Sequence, residues 1–349
     1  MSVPRIHVMA DTTDLHKPNA CAALRLLDPF LYPGICGNFD ISFGAGPPDG
    51  PVDLMVMQRF GRMDDDPAAI EDMLISLKAS GTRLLYDIDD NLIDPHPDAA
   101  SERAIAPRRR NVRLLLREAD HVTVSTEPLA ERVRGLNPRV TVLPNALDER
   151  RFAAEPVAPG MRERLTIGYF GTFTHLRDLM SVVGPLRAAL SRLPQRARIE
   201  VCGITQDTRI LSLFEDVATV EVLPATGDYE SFVQMMLSRA RWDIGLAPLA
   251  TGAFERTKSD IKFLEYAAFG IAGLYSDHPA YAAVRHGETG LVAAPAQWAD
   301  SLMALATDAG LRAAIAQRAR DYLVSQRVLA RSSSALAAVL DQLVSSPAA

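Results

Sequence analysis

Short apolar runs alternate with segments whose apolar residues recur at helical spacing, and the alternation occurs twice along the chain. The first set of runs is Arg5–Met9, Asp53–Met57, Arg83–Ile88, His121–Ser125 and Val140–Leu143, with helical spacing over Pro67–Ala79 and Arg108–Ala119. The second is Leu165–Phe170, Arg198–Cys202, Val220–Leu223, Asp243–Ala247 and Ile271–Tyr275. Its helices are expected over Asp178–Leu193, Tyr229–Ala240, Ser259–Phe269 and His278–His286. Strands that alternate with helices predict parallel sheets covered on both faces. Glu149–Arg164, between the two sets, has no clear period and reads as a linker. Beyond Gln297 the pattern is helical only, over Trp298–Thr307, Ala309–Val324 and Leu329–Leu343.

The fold class expected is therefore α/β, with one Rossmann-like domain over residues 1–150 and a second over 160–310. C-terminal helices over 311–349 pack on the sheets or return to the first domain. Ligands of such sheets bind beyond the carboxyl ends of the strands, where helix N-termini favour phosphate. The pattern alone thus reaches a phosphate-bearing ligand held between two domains.

Composition narrows the class. A chain of 349 residues with 48% hydrophobic content can bury two cores. The net charge of -6, without long like-charge blocks, argues against nucleic acid as a partner. Three cysteines in unrelated contexts make neither a disulfide framework nor a zinc site, which suits a reducing compartment. The N-terminus has no signal-peptide core, and no apolar run is long enough to span a bilayer. A cytoplasmic protein is expected.

The most informative segment is Phe254–Val292. Lys258, Ser259 and Lys262 fall at the start of a helix, where Ser259 can cap, helix N–H groups can hold a diphosphate and the lysines add charge-assisted bonds. Glu265, further along, could accept from a ribose diol. Without context, an amphipathic helix with solvated lysines is the stronger reading.

Context comes from a resemblance. Glu265, Gly270, Ser276, Asp277, Tyr281, Val284, Gly287, Gly290, Leu291 and Val292 resemble the C-terminal donor site of GT-B glycosyltransferases, in particular retaining family GT4. Ser125, Thr126, Asn145 and Asp148 are similar to that family's end of domain one. Leu165–Leu179 looks like its opening strand and glycine turn of domain two. The resemblance covers most of residues 80–325. It implies transfer of a sugar from a nucleotide-diphosphate sugar to a glycan or lipid-linked acceptor, with retention, without metal and without a cofactor other than the donor. The catalytic candidates it implies are Asp89, His175 and Lys258. The donor-binding candidates are Gly171, Thr172, Arg177, Thr257, Ser259, Lys262 and Glu265. The sequence departs from the family pattern at Thr257, where the first Glu of a pair is usual, with Glu255 close but out of register. Thr172 stands where Arg is common, and His175, Arg177, Lys258 and Lys262 are the candidate replacements.

Leu84–Pro95 carries Asp87, Asp89 and Asp90 at the end of an apolar strand. Contact of Asp89 with donor sugar or acceptor ranks first, a solvated acidic turn second, and a metal-binding D-x-D through Asp87 and Asp89 third. Arg108-Arg109-Arg110 reads as a solvated helix face, with anionic lipid headgroups at the inner face of the membrane as the runner-up. Two other functions fit the same fold: a nucleotide-sugar isomerase or hydrolase, and a degenerate non-catalytic subunit, which Thr257 favours.

Overall fold

The computed structural model describes residues 3–11, 18–48, 50–60, 66–152, 164–171, 175–203, 212–238 and 241–345. Its first sheet holds β1 (Arg5–Met9), β2 (Asp40–Gly44), β3 (Leu54–Gln58), β4 (Arg83–Ile88), β5 (His121–Val124) and β6 (Val140–Val142). Its second holds β7 (Thr166–Phe170), β8 (Ala197–Cys202), β9 (Ala218–Leu223), β10 (Ile244–Ala247), β11 (Ala272–Ser276) and β12 (Leu291–Ala293). The orders are β2-β1-β3-β4-β5-β6 and β12-β11-β10-β7-β8-β9. Every pairing is parallel. The strand order changes direction beside β1 in one sheet and β7 in the other, and a crevice for ligand opens at such points.

Strands β3, β7, β10 and β11 are buried along their whole length, which is why they read as unbroken apolar runs. The sequence pattern missed two strands. Strand β2 lies at a sheet edge and is mostly exposed, so it lacks an apolar signature. Strand β12 is three residues long. Two expected helices are also corrected. Asp178–Leu193 breaks into Leu176–Met180 and Val183–Leu190, because Pro185 has no N–H to continue the ladder from Ser181. His278–His286 contains only the 3-10 turn Pro279–Tyr281.

The last two helices diverge. Ala309–Gln326 packs Ala319 and Leu323 into the second domain's core. Leu329–Ser345 returns to the first sheet, where Leu336, Val339, Leu340 and Leu343 join Ile6, Val8, Leu54 and Val56. The chain thus crosses between domains twice, and the crossings lie side by side. Leu147 N–H donates to Arg327 O at 2.9 Å, and Leu329 N–H to Leu147 O at 3.0 Å. Among the described residues, no helix is long and apolar enough to cross a membrane.

Candidate active site in the interdomain cleft

The helix Ile261–Phe269 connects β10 to β11 and starts at the cleft. Residues 262–269 are all buried, and Gly270 ends the helix at φ 70°, a left-handed conformation that disfavours side chains. Ser259 does not cap it, contrary to the sequence expectation. The N-cap is Asp260, whose carboxylate pairs with Arg327 at 2.8 and 2.9 Å. Ser259 Oγ instead accepts from Asn145 Nδ2 of the first domain at 2.9 Å.

Lys262 is buried in the first turn, with its ammonium 5.7 Å from the ring centres of Tyr169 and Phe170. Among the described residues, no carboxylate lies within ion-pair distance of it. Burial, with Lys258 adding to it, pushes its pKa down to about 8 against the pull of Asp178 and Glu265. Lys258 lies over the Phe254 ring at 4.6 Å and pairs with Asp90 across the cleft.

His175 follows β7. Its Nδ1 is 2.8 Å from Asp178 Oδ2, and its backbone carbonyl accepts from the Tyr169 hydroxyl. A Cβ at Gly171 would lie 3.0 Å from His175 Cβ, tighter than ordinary contact, so a side chain there would crowd the ring. Burial lowers the His175 pKa to about 4, and Lys262 and Lys258 add to the effect, which outweighs Asp178. The ring is neutral at pH 7. Arg177 is half exposed and pairs with the buried Glu255 at 3.2 Å. Thr172 lies outside the described residues.

The first domain contributes two carboxylates of different kinds. Asp87 is consumed by the interior: Arg25 Nη2 reaches Oδ1 at 2.7 Å, Thr123 Oγ1 donates to it at 2.8 Å and Gln58 Nε2 donates to Oδ2 at 3.4 Å. With its acceptor sites taken by these protein donors, Asp87 is poorly placed to pair with Asp89 on a metal. Asp89 and Asp90 share Arg59, through Nε at 2.5 Å and Nη2 at 2.9 Å. Arg59 itself adopts φ 47°, held by bonds from its N–H to Asp87 O and from the Tyr86 hydroxyl to its carbonyl.

A cavity of about 110 Å³ brings Asp89, His175, Lys258, Ser259 and Lys262 together. Arg177 lines an adjoining pocket with His96 and Glu255. Gly171 stands behind His175. Thr257 and Glu265 line neither pocket. Thr257 turns its hydroxyl to Phe254 O and gives its own carbonyl to Thr126 of the first domain at 2.8 Å. Glu265 is buried deeper in the helix, with the Tyr229 hydroxyl near it but short of hydrogen-bond geometry. Burial raises its pKa to about 7, with Lys262 and Tyr229 pulling the other way.

The cavity also has walls that the sequence did not announce, Arg25 and Cys21, beside Asn145 and Asp90, which the sequence singled out without making them site candidates. Arg25, in the helical stretch 20–30, had one signal, a lone cation in the apolar run Ala22–Phe30. Asp178, three residues after His175, had the helical spacing that lets two side chains meet. Chemically, the second domain's wall is cationic with one neutral imidazole, and the first domain's wall is an Arg–Asp network with one carboxylate in excess, which Lys258 meets. Such a pair of walls can hold an anionic leaving group on one side and a neutral hydroxyl on the other.

No family model matches this sequence, and no curated protein matches it by sequence. Solved structures do match in fold. Sucrose-phosphate synthase from Thermosynechococcus elongatus superposes with a TM-score of 0.66 at 13% identity, over 97% of this chain and 99% of that one. Anabaena HepE in complex with UDP and glucose gives 0.66 at 14% identity, over 97% and 100%. TarM gives 0.58 at 14% identity over 84% of this chain, which spans about half (55%) of TarM's length. WaaG, a glycosyltransferase of lipopolysaccharide biosynthesis, matches at 0.64 and 15% identity over 98% and 100%. With two parallel six-stranded sheets facing a cleft and a last helix that returns to the first domain, the chain has the GT-B fold.

Proposed function

We propose that the chain is a glycosyltransferase of the GT4 kind, which moves a sugar from a nucleotide-diphosphate sugar to an acceptor hydroxyl. The observation that carries this reading is Lys262, a cation buried at a helix mouth in the cleft with no carboxylate in reach among the described residues. Burying a charge is costly unless it is neutralised, and an anionic ligand at this point would neutralise it. The diphosphate binds Lys258, Lys262 and the N–H groups at the start of Ile261–Phe269, with Gly171 and Arg177 around it. Glu265 and Thr257 complete the donor side.

As the glycosidic bond breaks, negative charge grows on the diphosphate and these cations stabilise it without metal. The acceptor, a glycan or a lipid-linked sugar, enters along Asp89, on the same face as the leaving group, so that configuration is retained. A lipid-linked acceptor places the chain at the cytoplasmic face of a membrane. There the exposed Arg110–Glu71 pair at 3.4 Å is weak enough to open to an anionic headgroup. A thermal-shift screen of nucleotide sugars tests the reading, since a ligand that binds only the folded state raises apparent stability. A shift for at least one nucleotide diphosphate is expected. A screen in which none stabilises the protein would falsify the donor site.

A further inference from the structure

The imidazole of His175 is fixed on all but one edge. Nδ1 faces Asp178 Oδ2 at 2.8 Å. The other oxygen of Asp178 accepts the Ala250 N–H at 2.9 Å, so the carboxylate cannot rotate away. The Cγ and Cδ2 side of the ring packs over Gly171. An ionised carboxylate only accepts, so Nδ1 carries the hydrogen and Nε2 is left with a lone pair. His175 lines both the cavity it shares with Lys258 and Lys262 and the adjoining pocket, so this remaining edge is the one available to a ligand there. A lone pair cannot donate to an anion, and next to a phosphate oxygen it repels.

We propose that Asp178 is a positioning residue that leaves Nε2 of His175 bare in the empty cleft, so that entry of the donor diphosphate loads one proton onto Nε2. The imidazolium N–H then faces the phosphate that departs. The inference rests on the donor-binding reading above. The balance is simple. A proton leaves solvent, an Nε2–H bond forms, no bond of the donor breaks in this step, and the proton returns to solvent when the nucleotide dissociates.

The charges around the ring account for the direction. Lys258 and Lys262 disfavour the proton. Asp178 on the same turn favours it, as does Asp90 across the cleft. Arg177, Glu255, His96 and Asp98 line the adjoining pocket. In the empty protein burial and the lysines prevail, which keeps the pKa near 4. A diphosphate neutralises those lysines and adds negative charge beside Nε2, which reverses the balance. The same argument distinguishes Asp178 from a merely structural carboxylate. In Asp178→Asn the Ala250 N–H keeps the amide oxygen, so the amide NH2 faces Nδ1. That selects the tautomer with hydrogen on Nε2, and a neutral donor is ready without proton uptake.

The test is calorimetry of the full chain with UDP-glucose, ADP-glucose and GDP-mannose, none of whose diphosphates titrates near neutral pH. The tightest binder is then measured at pH 6.5 in buffers of different ionisation enthalpy. The parent is expected to take up about half to one proton per donor, and affinity is expected to fall as pH rises by up to about tenfold per unit. His175→Gln, which leaves Glu265 in place, assigns that proton to His175 by losing it. Asp178→Asn is expected to bind the donor with little proton uptake and with affinity nearly flat in pH. Binding by the parent without proton exchange overturns this inference and leaves the donor site standing. Unchanged uptake in His175→Gln or in a folded Asp178→Asn overturns it too. If none of the three sugars binds, the donor reading fails and this inference with it.

Discussion

Lys258 of the second domain and Asp90 of the first form an ion pair across the cleft, Nζ to Oδ1 at 2.8 Å. Both side chains are largely buried, and Asp90 also accepts from Arg59 at 2.9 Å. Burial alone would raise the Asp90 pKa, but Lys258 and Arg59 overcome it and hold the carboxyl well below its ordinary value. Two neutral contacts flank the pair, Thr126 to Thr257 O and Asn145 to Ser259. The domains are therefore stitched together at the mouth of the helix proposed to hold the donor, and a carboxylate occupies the lysine that a phosphate would need.

Asp90→Asn tests that competition. The part-buried pair is worth about 1 kcal/mol, or roughly fivefold in affinity. The variant is expected to bind a nucleotide diphosphate about fivefold more tightly by calorimetry, because Lys258 no longer has to be taken from Asp90. Equal or weaker binding would mean that Asp90 helps to hold the ligand rather than compete with it.

A chelator tests the source of charge neutralisation. Sugar transfer is expected to persist in excess chelator, because Lys258, Lys262 and helix N–H groups face the diphosphate, and Asp87 is filled by Arg25 and Thr123. Loss of transfer, restored by Mn²⁺, would show that Asp89 and Asp90 hold a cation once substrate is bound.

Glu265 and Lys262 give stability a pH signature of two opposite slopes. The folded pKa of Glu265 is raised from 4.5 to about 7, so the folded chain holds an extra proton in that window. Its stabilising effect is complete below 4.5 and is lost as pH rises through 7. Lys262 is lowered from 10.5 to about 8, so above 8 the folded chain holds fewer protons and stability is regained. Melting temperature measured against pH is expected to pass through a shallow trough near neutral. Glu265→Gln should remove the acid-side slope, keep the alkaline one and weaken nucleotide binding. An unchanged acid-side slope in the folded variant would show that Glu265 does not titrate there.

Much of this architecture was legible because parallel strands leave apolar runs, most clearly where both faces are buried, and ten of the twelve strands left one. The edge strand β2 is exposed and leaves no such run. The site was legible only where its chemistry is local. Lys262 and Glu265 share one helix with Lys258 and Ser259 just before it, and His175 follows one strand. The contacts that give these residues their properties join positions remote in sequence: Arg25 to Asp87, Asn145 to Ser259, Asp90 to Lys258. No periodicity encodes such pairs. The capping role expected of Ser259 failed for the same reason, since Asn145 reaches it from the other domain.

Asp89 is the sharpest test of the first domain's share in the site. Strand β4 carries it to the carboxyl edge of the sheet, and it lines the cavity opposite Lys258 and Lys262. Its Oδ1 is bound by Arg59 Nε, which fixes its orientation, and the Cys21 thiol lies beside the same carboxylate. The nucleotide is proposed to dock on the other domain, so Asp89→Asn should keep nucleotide diphosphate affinity within a few-fold. An interaction that tightens as acceptor and donor sugar approach appears in the rate rather than in binding. Transfer is therefore expected to fall by about 10²-fold or more, as for loss of a positioned acid–base or orienting group. Asp94→Asn is the control. Asp94 accepts from Asn91 at 3.0 Å and lies 3.6 Å from Arg132, outside the cavity, so its change should be near neutral. Removing the Asp89 charge also loosens Arg59, so melting temperature must be measured beside rate. A variant that melts earlier but transfers at the parent rate would make Asp89 a brace for Arg59 and move the acceptor contact to another residue.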